Sequence, residues 1–142
     1  MRLWHEKLIS VLPRAQLLGQ HRECCALRGL GWGRKHSTVD YVFKYSPMCL
    51  GYYHIKVLSE MKKRGYNIEG KWWYPFYRGK RCEEWRYSQL IVDTWMFPRI
   101  DNGLPIYPEH NDRYLENCIE NLKGKGIEIS LKGGGRVSVR CE

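Results

Sequence analysis

The stretch PRAQLLGQHRECCALRGL, residues 13–30, decides the fold. Pro13 suits the first turn of a helix, where its missing N–H costs nothing, and no breaker follows until Gly29. At about 100° per residue, Leu17, Leu18, Cys24 and Cys25 share one broad face with His21. The opposite face carries Ala15, Gly19 and Ala26 beside Gln16, Gln20, Arg22 and Glu23. Its small residues predict a surface that another backbone or a ligand approaches closely. Upstream, residues 1–12 read as a short arm, helical near its end. Downstream, GLGWGRKHSTVD at 29–40 reads as a Gly-rich basic loop.

A second helix follows from FKYSP at 43–47, where Ser46 is a good N-cap and Pro47 a good first helical residue. It runs to about Arg64, with Gly65 as its stop. Leu50, Tyr53, Val57, Leu58 and Met61 form its buried stripe, and Lys56, Lys62 and Lys63 lie away from it. Residues 66–108 carry four Trp and repeated Pro or Gly breaks, and predict mostly irregular chain with a short helix or strand around 84–96. A third helix spans about 109–123, where Tyr114, Leu115, Cys118, Ile119 and Leu122 recur at helical spacing. IEISLKGGGRVSVR at 127–140 alternates about Gly133–Gly135 as a hairpin does. The expected architecture is mainly α: one compact domain over 1–142, about three principal helices, irregular connections and a small C-terminal β-hairpin.

The whole chain has 142 residues with 24 Lys and Arg against 15 Asp and Glu, a net charge of +9, and 13% aromatics. That balance suits an anionic polymer, nucleic acid first. No apolar run approaches the ~18 residues of a membrane helix, and His5, Glu6 and Lys7 stand where a signal peptide needs an apolar core. The expectation is a cytosolic protein with reduced thiols, no membrane contact and no obligate protein partner, a monomer. The six Cys include no C-x-x-C pair, so a zinc site is poorly supported and most of them read as small buried hydrophobes.

Four segments in register carry a resemblance: LLGQHRE at 17–23, RKH at 34–36, FKYSP at 43–47 and KKRGYNI at 62–68. Together they resemble the phage-type pyrimidine-dimer DNA glycosylases, the UV-repair endonuclease V family, in a bacterial-type relative. Residues 1–69 are the best matched, YPEH at 107–110 extends the likeness, and 70–105 and the hairpin have no counterpart. The resemblance implies a compact helical domain that acts on damaged double-stranded DNA. It implies attack by the α-amine of the N-terminal residue, a Schiff base, and β-elimination that nicks the strand. It implies no metal and no organic cofactor, and a damaged duplex that is bent with a base extruded.

The resemblance places Glu23, within Arg22-Glu23, as the acid–base partner of the reaction. Attack at C1′ builds positive charge on the sugar, and the ring oxygen and the 2′ proton both need such a group. The bland reading of Glu23 is a solvated helix carboxylate paired with a neighbouring cation. The nucleophile is an α-amine, with an ordinary pKa of about 7.7–8.0 against about 10.4 for a lysine. In the phage enzyme a small residue followed by Arg carries that amine after Met removal. Here Arg2 follows Met1 directly, and a bulky second residue normally blocks removal, so Met1 falls at the nucleophile position. The alternative is a frayed terminus with no role.

Arg2 and Arg22 are the expected grips on phosphates flanking the lesion, and Arg34, Lys35 and His36 the expected contacts along the backbone, with Lys44 and Lys56 as weaker candidates. For each the competing reading is an ordinary solvated charge. Two departures stand out. Gln16 replaces an early His of the family, and Ala26 replaces an Arg one turn after the Glu, for which Arg28 offers a nearby substitute. His21 reads as a packed core histidine. Trp72, Trp73, Tyr74, Phe76 and Tyr77 read either as a platform for an extruded base or as core and lid. The competing functions are a catalytically silent nucleic-acid-binding module of the same fold and, with least support, a metal-dependent nuclease.

Overall fold

The structure is a computed structural model that describes residues 1–90, 95–132 and 136–141, with residues 130–132 and 136–141 by backbone only. It is mainly helical, as the periodicities predict. Helix α1 spans Arg14–Arg28 and α2 spans Pro47–Lys63, and the two pack against each other. Short helices α3 (Tyr87–Leu90) and α4 (Met96–Asp101) follow, then α5 (Asp112–Lys123). Strands β1 (Ile127–Lys132) and β2 (Arg136–Cys141) close the described chain as an antiparallel hairpin, with Ile127 opposite Cys141 and Lys132 opposite Arg136. Gly133–Gly135 and residues 91–94, on which parts of the expected hairpin and of the expected 84–96 element fall, lie outside the described residues.

Local chemistry sets the ends of α2. The Ser46 hydroxyl accepts from the Met48 amide at 3.1 Å, a cap of about 1 kcal/mol. At the other end Gly65 takes φ +82°, which lets its amide reach the Lys62 carbonyl and the Tyr66 amide reach the Met61 carbonyl, both at 3.0 Å. Helix α5 begins three residues later than the sequence suggests. Asn111 caps it, accepting from the Tyr114 amide at 2.9 Å, while the Glu109 carboxylate instead takes the Tyr45 hydroxyl at 2.8 Å.

The N-terminal segment is not a loose arm. Leu3, Trp4, His5, Leu8, Ile9 and Leu12 are all buried, and a 3₁₀ turn over Glu6–Val11 packs on α2 and on β2. The core gathers this segment, Leu17, Cys24 and Leu27 of α1, the α2 stripe from Leu50 to Met61, and Leu115, Cys118 and Leu122 of α5. All five stripe residues named from the α2 periodicity are buried.

The α1–α2 seam departs from that periodicity. Two polar residues of α1, Gln20 and Arg28, are each only 1% exposed. The Arg28 Nη1 reaches His54 Nδ1 and the Trp72 carbonyl, both at 2.9 Å, and Nη2 reaches the carbonyls of Tyr74 (2.8 Å) and Tyr77 (2.9 Å). Arg28 therefore clamps the 72–77 segment onto the helices and is not available at the surface as a substitute for the missing arginine at position 26. On the face that carries the small residues of α1, the backbone of Arg2 and Trp4 approaches at Gln20 and Glu23, while Gly19 is open. No backbone packs over Gly19, and a Cβ built there meets nothing within 4 Å.

Candidate active site

Glu23 sits on the half-exposed side of α1, and the N-terminal strand of chain runs across it. Its Oε2 accepts from the Arg2 amide at 3.3 Å and from Gln20 Nε2 at 3.1 Å. The same Gln20 amide nitrogen donates to the Arg2 carbonyl at 3.0 Å, while its Oε1 accepts from the Trp4 amide at 2.6 Å and the Tyr53 hydroxyl at 3.1 Å. Gln20 thus ties the first residues of the chain to the helix that carries Glu23. Two further hydroxyls reach the same strand of backbone: Thr38 donates to the Met1 carbonyl and Tyr114 to the Leu3 carbonyl.

These contacts enclose a cavity of about 290 Å³ lined by Met1, Arg2, Trp4, Glu23, Thr38, Asn121 and Lys125. Met1 is 44% exposed at its mouth. The Arg2 guanidinium stands 6.0 Å from the Trp4 ring centre and 5.9 Å from that of Tyr114, and Lys125 Nζ is 5.4 Å from the Trp4 ring. The lining combines one carboxylate, two side-chain cations and the chain terminus. Such a set suits a sugar flanked by phosphates, because the cations meet the phosphates and the carboxylate is left for the sugar.

The structure brings Met1, Arg2 and Glu23 into one cavity. Arg22 is exposed on α1 beside it. Arg34, Lys35 and His36 are exposed on the following loop, whose tether to the site is short. His36 Nδ1 is 3.0 Å from the hydroxyl of the lining residue Thr38, and its amide donates to Asp40 at 2.7 Å. Lys44 is exposed but lies outside the cavity lining. Lys56 lies outside this cavity lining and pairs with Glu6, whose other oxygen accepts from the Ile106 amide at 2.7 Å. Trp4, Gln20, Thr38, Asn121 and Lys125 are additions that the sequence did not suggest. Only Gln20 left a signal, standing three residues before Glu23 at helix-neighbour spacing.

The aromatic run divides. Trp72 packs its edge on Tyr77 (4.8 Å between ring centres) and against His54 (5.7 Å), with the Arg28 guanidinium 5.1 Å away. Tyr77 is buried. Trp72 is half-buried against the core, and Tyr74, 50% exposed, remains at the surface.

His21, Cys25 and His54 bring three potential metal ligands within 4.8 Å of one another. The protons argue against a metal there. An arginine only donates, so Arg28 Nη1 fixes His54 Nδ1 as an acceptor and leaves the His54 proton on Nε2. That proton is shared with His21 Nδ1 at 2.9 Å, which occupies the two nitrogens a metal would need. A ligating histidine normally gives its other N–H to a carboxylate or carbonyl, not to a guanidinium. Burial holds both rings below the usual histidine range and pushes the Cys25 thiol up to about 12. His21 is therefore half-buried in a hydrogen-bonded seam rather than packed in an apolar core.

Among the described residues no helix is long and apolar enough to cross a membrane. No match is found among curated proteins or among solved structures. A family model described as pyrimidine dimer DNA glycosylase matches residues 1–74, just over half the chain and the part that holds Met1, Arg2, Gln20, Glu23 and Thr38. On that match the chain belongs to the pyrimidine dimer DNA glycosylases, a family of DNA-repair enzymes.

Proposed function

We infer that this glycosylase is also a lyase and works through its own first residue. The Met1 α-amine attacks C1′ of the damaged nucleotide. The N–C1′ bond forms as the glycosidic bond breaks and the base departs. Opening of the sugar gives a Schiff base. Loss of the 2′ proton to Glu23 then drives β-elimination, which breaks the C3′–O bond and nicks the strand. Arg2 and Arg22 hold the flanking phosphates, and Arg34, Lys35, His36 and Lys44 follow the backbone.

The observation that carries this reading is the contact between Glu23 Oε2 and the Arg2 amide, one residue from the amine. It puts the only carboxylate of the cavity lining next to the chain terminus. A second amine, that of Lys125, lines the same cavity and is the natural rival nucleophile.

Borohydride reduction of the protein with UV-damaged or abasic duplex is the test. A covalent adduct is expected with the natural chain and with Lys125→Ala. An added residue ahead of Met1 is expected to abolish it. Glu23→Gln is expected to cut nicking by on the order of 10²–10⁴ while duplex binding is retained. An adduct that survives the extension but is lost in Lys125→Ala overturns the Met1 assignment.

A further inference from the structure

A second concavity, of about 360 Å³, opens at the C-terminal end of α1, and its wall includes Ala26, Leu30, Trp72, Arg78, Lys80 and Arg81. On α1 its wall runs from Cys25, about 160° around the axis from Glu23, to Ala26. At about 1.5 Å and 100° per residue, Ala26 stands about 4.5 Å along α1 from Glu23 and about 60° around it. Leu30 follows the helix end, past the non-helical Gly29. Leu30 is 53% exposed.

The loop that forms the far wall is held rigidly. Arg78 Nε donates to the Arg28 carbonyl at 2.8 Å and Nη2 to the Gly29 carbonyl at 3.0 Å, and its guanidinium sits 3.7 Å from the Trp85 ring centre. Gly79 turns the chain at φ +92°, with the Trp72 ring 3.5 Å from where a Cβ would stand. Gly29 has the Arg78 carbonyl 3.0 Å from its own ideal Cβ position, so the loop lies directly on the helix end. Arg78 is consumed by this anchoring. The next two cations, Lys80 and Arg81, are exposed at the rim of an apolar floor.

We propose that this groove binds the sugar–phosphate backbone of a DNA strand beyond the lesion. The sugars lie over Ala26, Leu30 and Trp72, and two phosphates lie on Lys80 and Arg81. A cationic rim over an apolar floor matches that polymer, whose sugars are apolar on one side and whose phosphates are charged. Both cations lie beyond residues 1–74, the segment that the family model matches. This role of the groove rests on the reading that the Glu23 cavity receives the lesion.

The test is binding to an undamaged duplex across about 50–200 mM salt. Each phosphate contact contributes about 0.9 to the slope of log affinity against log salt, so Lys80→Ala with Arg81→Ala is expected to lower the slope by about 1.8. The swap Lys80→Arg with Arg81→Lys is expected to retain it. Lys62→Ala with Lys63→Ala, at the end of α2, removes the same charge elsewhere and is expected to leave the slope unchanged. An unchanged slope in the Lys80–Arg81 double variant, or an equal fall in the Lys62–Lys63 control, overturns the groove. Failure of borohydride to trap the natural chain, with the Lys80–Arg81 slope loss intact, strikes the proposed chemistry and leaves the groove standing.

Discussion

The carboxylate of Glu23 is bonded to the backbone amide of Arg2, with Oε2 3.3 Å from that nitrogen. The relation matters because a main-chain group, and not the tip of a long side chain, sets the spacing between acid and terminus. The Gln20 side chain holds the two in register from below, donating to Glu23 Oε2 and to the Arg2 carbonyl while accepting from Trp4 and Tyr53.

Gln20→Leu keeps the size of that side chain and removes all four bonds. The Trp4 amide is then buried without its acceptor, at a cost of about 1–3 kcal/mol in denaturant unfolding. The rate of adduct formation by the folded variant is also expected to fall, by at least about tenfold, because displacement of reacting groups by an ångström costs up to about 10² in rate. A variant that loses stability but traps DNA at the natural rate shows Gln20 to be structural only.

Much of this arrangement was readable from short-range chemistry, and the rest was not for a definable reason. Ser46, Pro47 and Gly65 bound α2 through contacts within five residues, so composition and order reveal them. Family register alone pairs Met1 with Glu23. Gln20 and Arg28 were misplaced because helical periodicity assigns polar residues to solvent. Their burial is settled by hydrogen-bond partners from 16 to 49 residues away: the Trp4 amide, which donates to one, and His54 with the Trp72, Tyr74 and Tyr77 carbonyls, which accept from the other. Lys125 and Asn121 reach the cavity only because α5 closes over the N-terminal strand, which no local pattern announces.

Arg22 and Arg28, six residues apart on one helix, are expected to separate cleanly. Arg22→Ala removes an exposed cation and should leave stability within about 0.5 kcal/mol while lowering the salt slope of duplex binding by about 1. Arg28→Met strips the clamp from the 72–77 segment. It should cost on the order of 3 kcal/mol or more, since hydrogen bonds to a charged group are worth roughly 1.5–3 kcal/mol each. Limited proteolysis should then cut first near Tyr74, which is already half exposed. Equal stability of the two variants contradicts the assignment.

Thr38 offers a lighter perturbation of the terminus. Its hydroxyl donates to the Met1 carbonyl and lies 3.0 Å from His36 Nδ1. Thr38→Val is nearly isosteric and half-exposed, so unfolding should shift by no more than about 0.5–1 kcal/mol. The untethered first residue spends less time in the cavity, and adduct formation should slow severalfold with duplex affinity retained. Unaltered trapping in rapid-quench kinetics shows that the tether does not position the amine.

The buried histidines give the fold a defined sensitivity to acid. His5 and His110 stack with ring centres 5.4 Å apart. His110 Nδ1 accepts from the Glu6 amide at 3.2 Å, and His5 Nδ1 accepts from the Lys7 amide at 3.1 Å, so each ring is held neutral. Burial lowers His5 to about 4 and His110, which also feels His5, to about 3. In the unfolded chain both titrate near 6.5. Between these values the unfolded chain binds more protons than the folded one, so stability rises with pH. The contribution is complete above about pH 6.5. It is lost as pH falls toward 4, at a rate approaching 1.4 kcal/mol per pH unit for each histidine. Denaturant midpoints at pH 7.5, 6 and 5 should trace that decline. His5→Asn keeps a side-chain acceptor for the Lys7 amide and removes one titrating group. Whatever its stability at pH 7.5, its slope between about pH 6.5 and 5 should be shallower by about 1.4 kcal/mol per unit. An unchanged slope means that His5 is protonated in the native fold and that the stacked pair is not neutral.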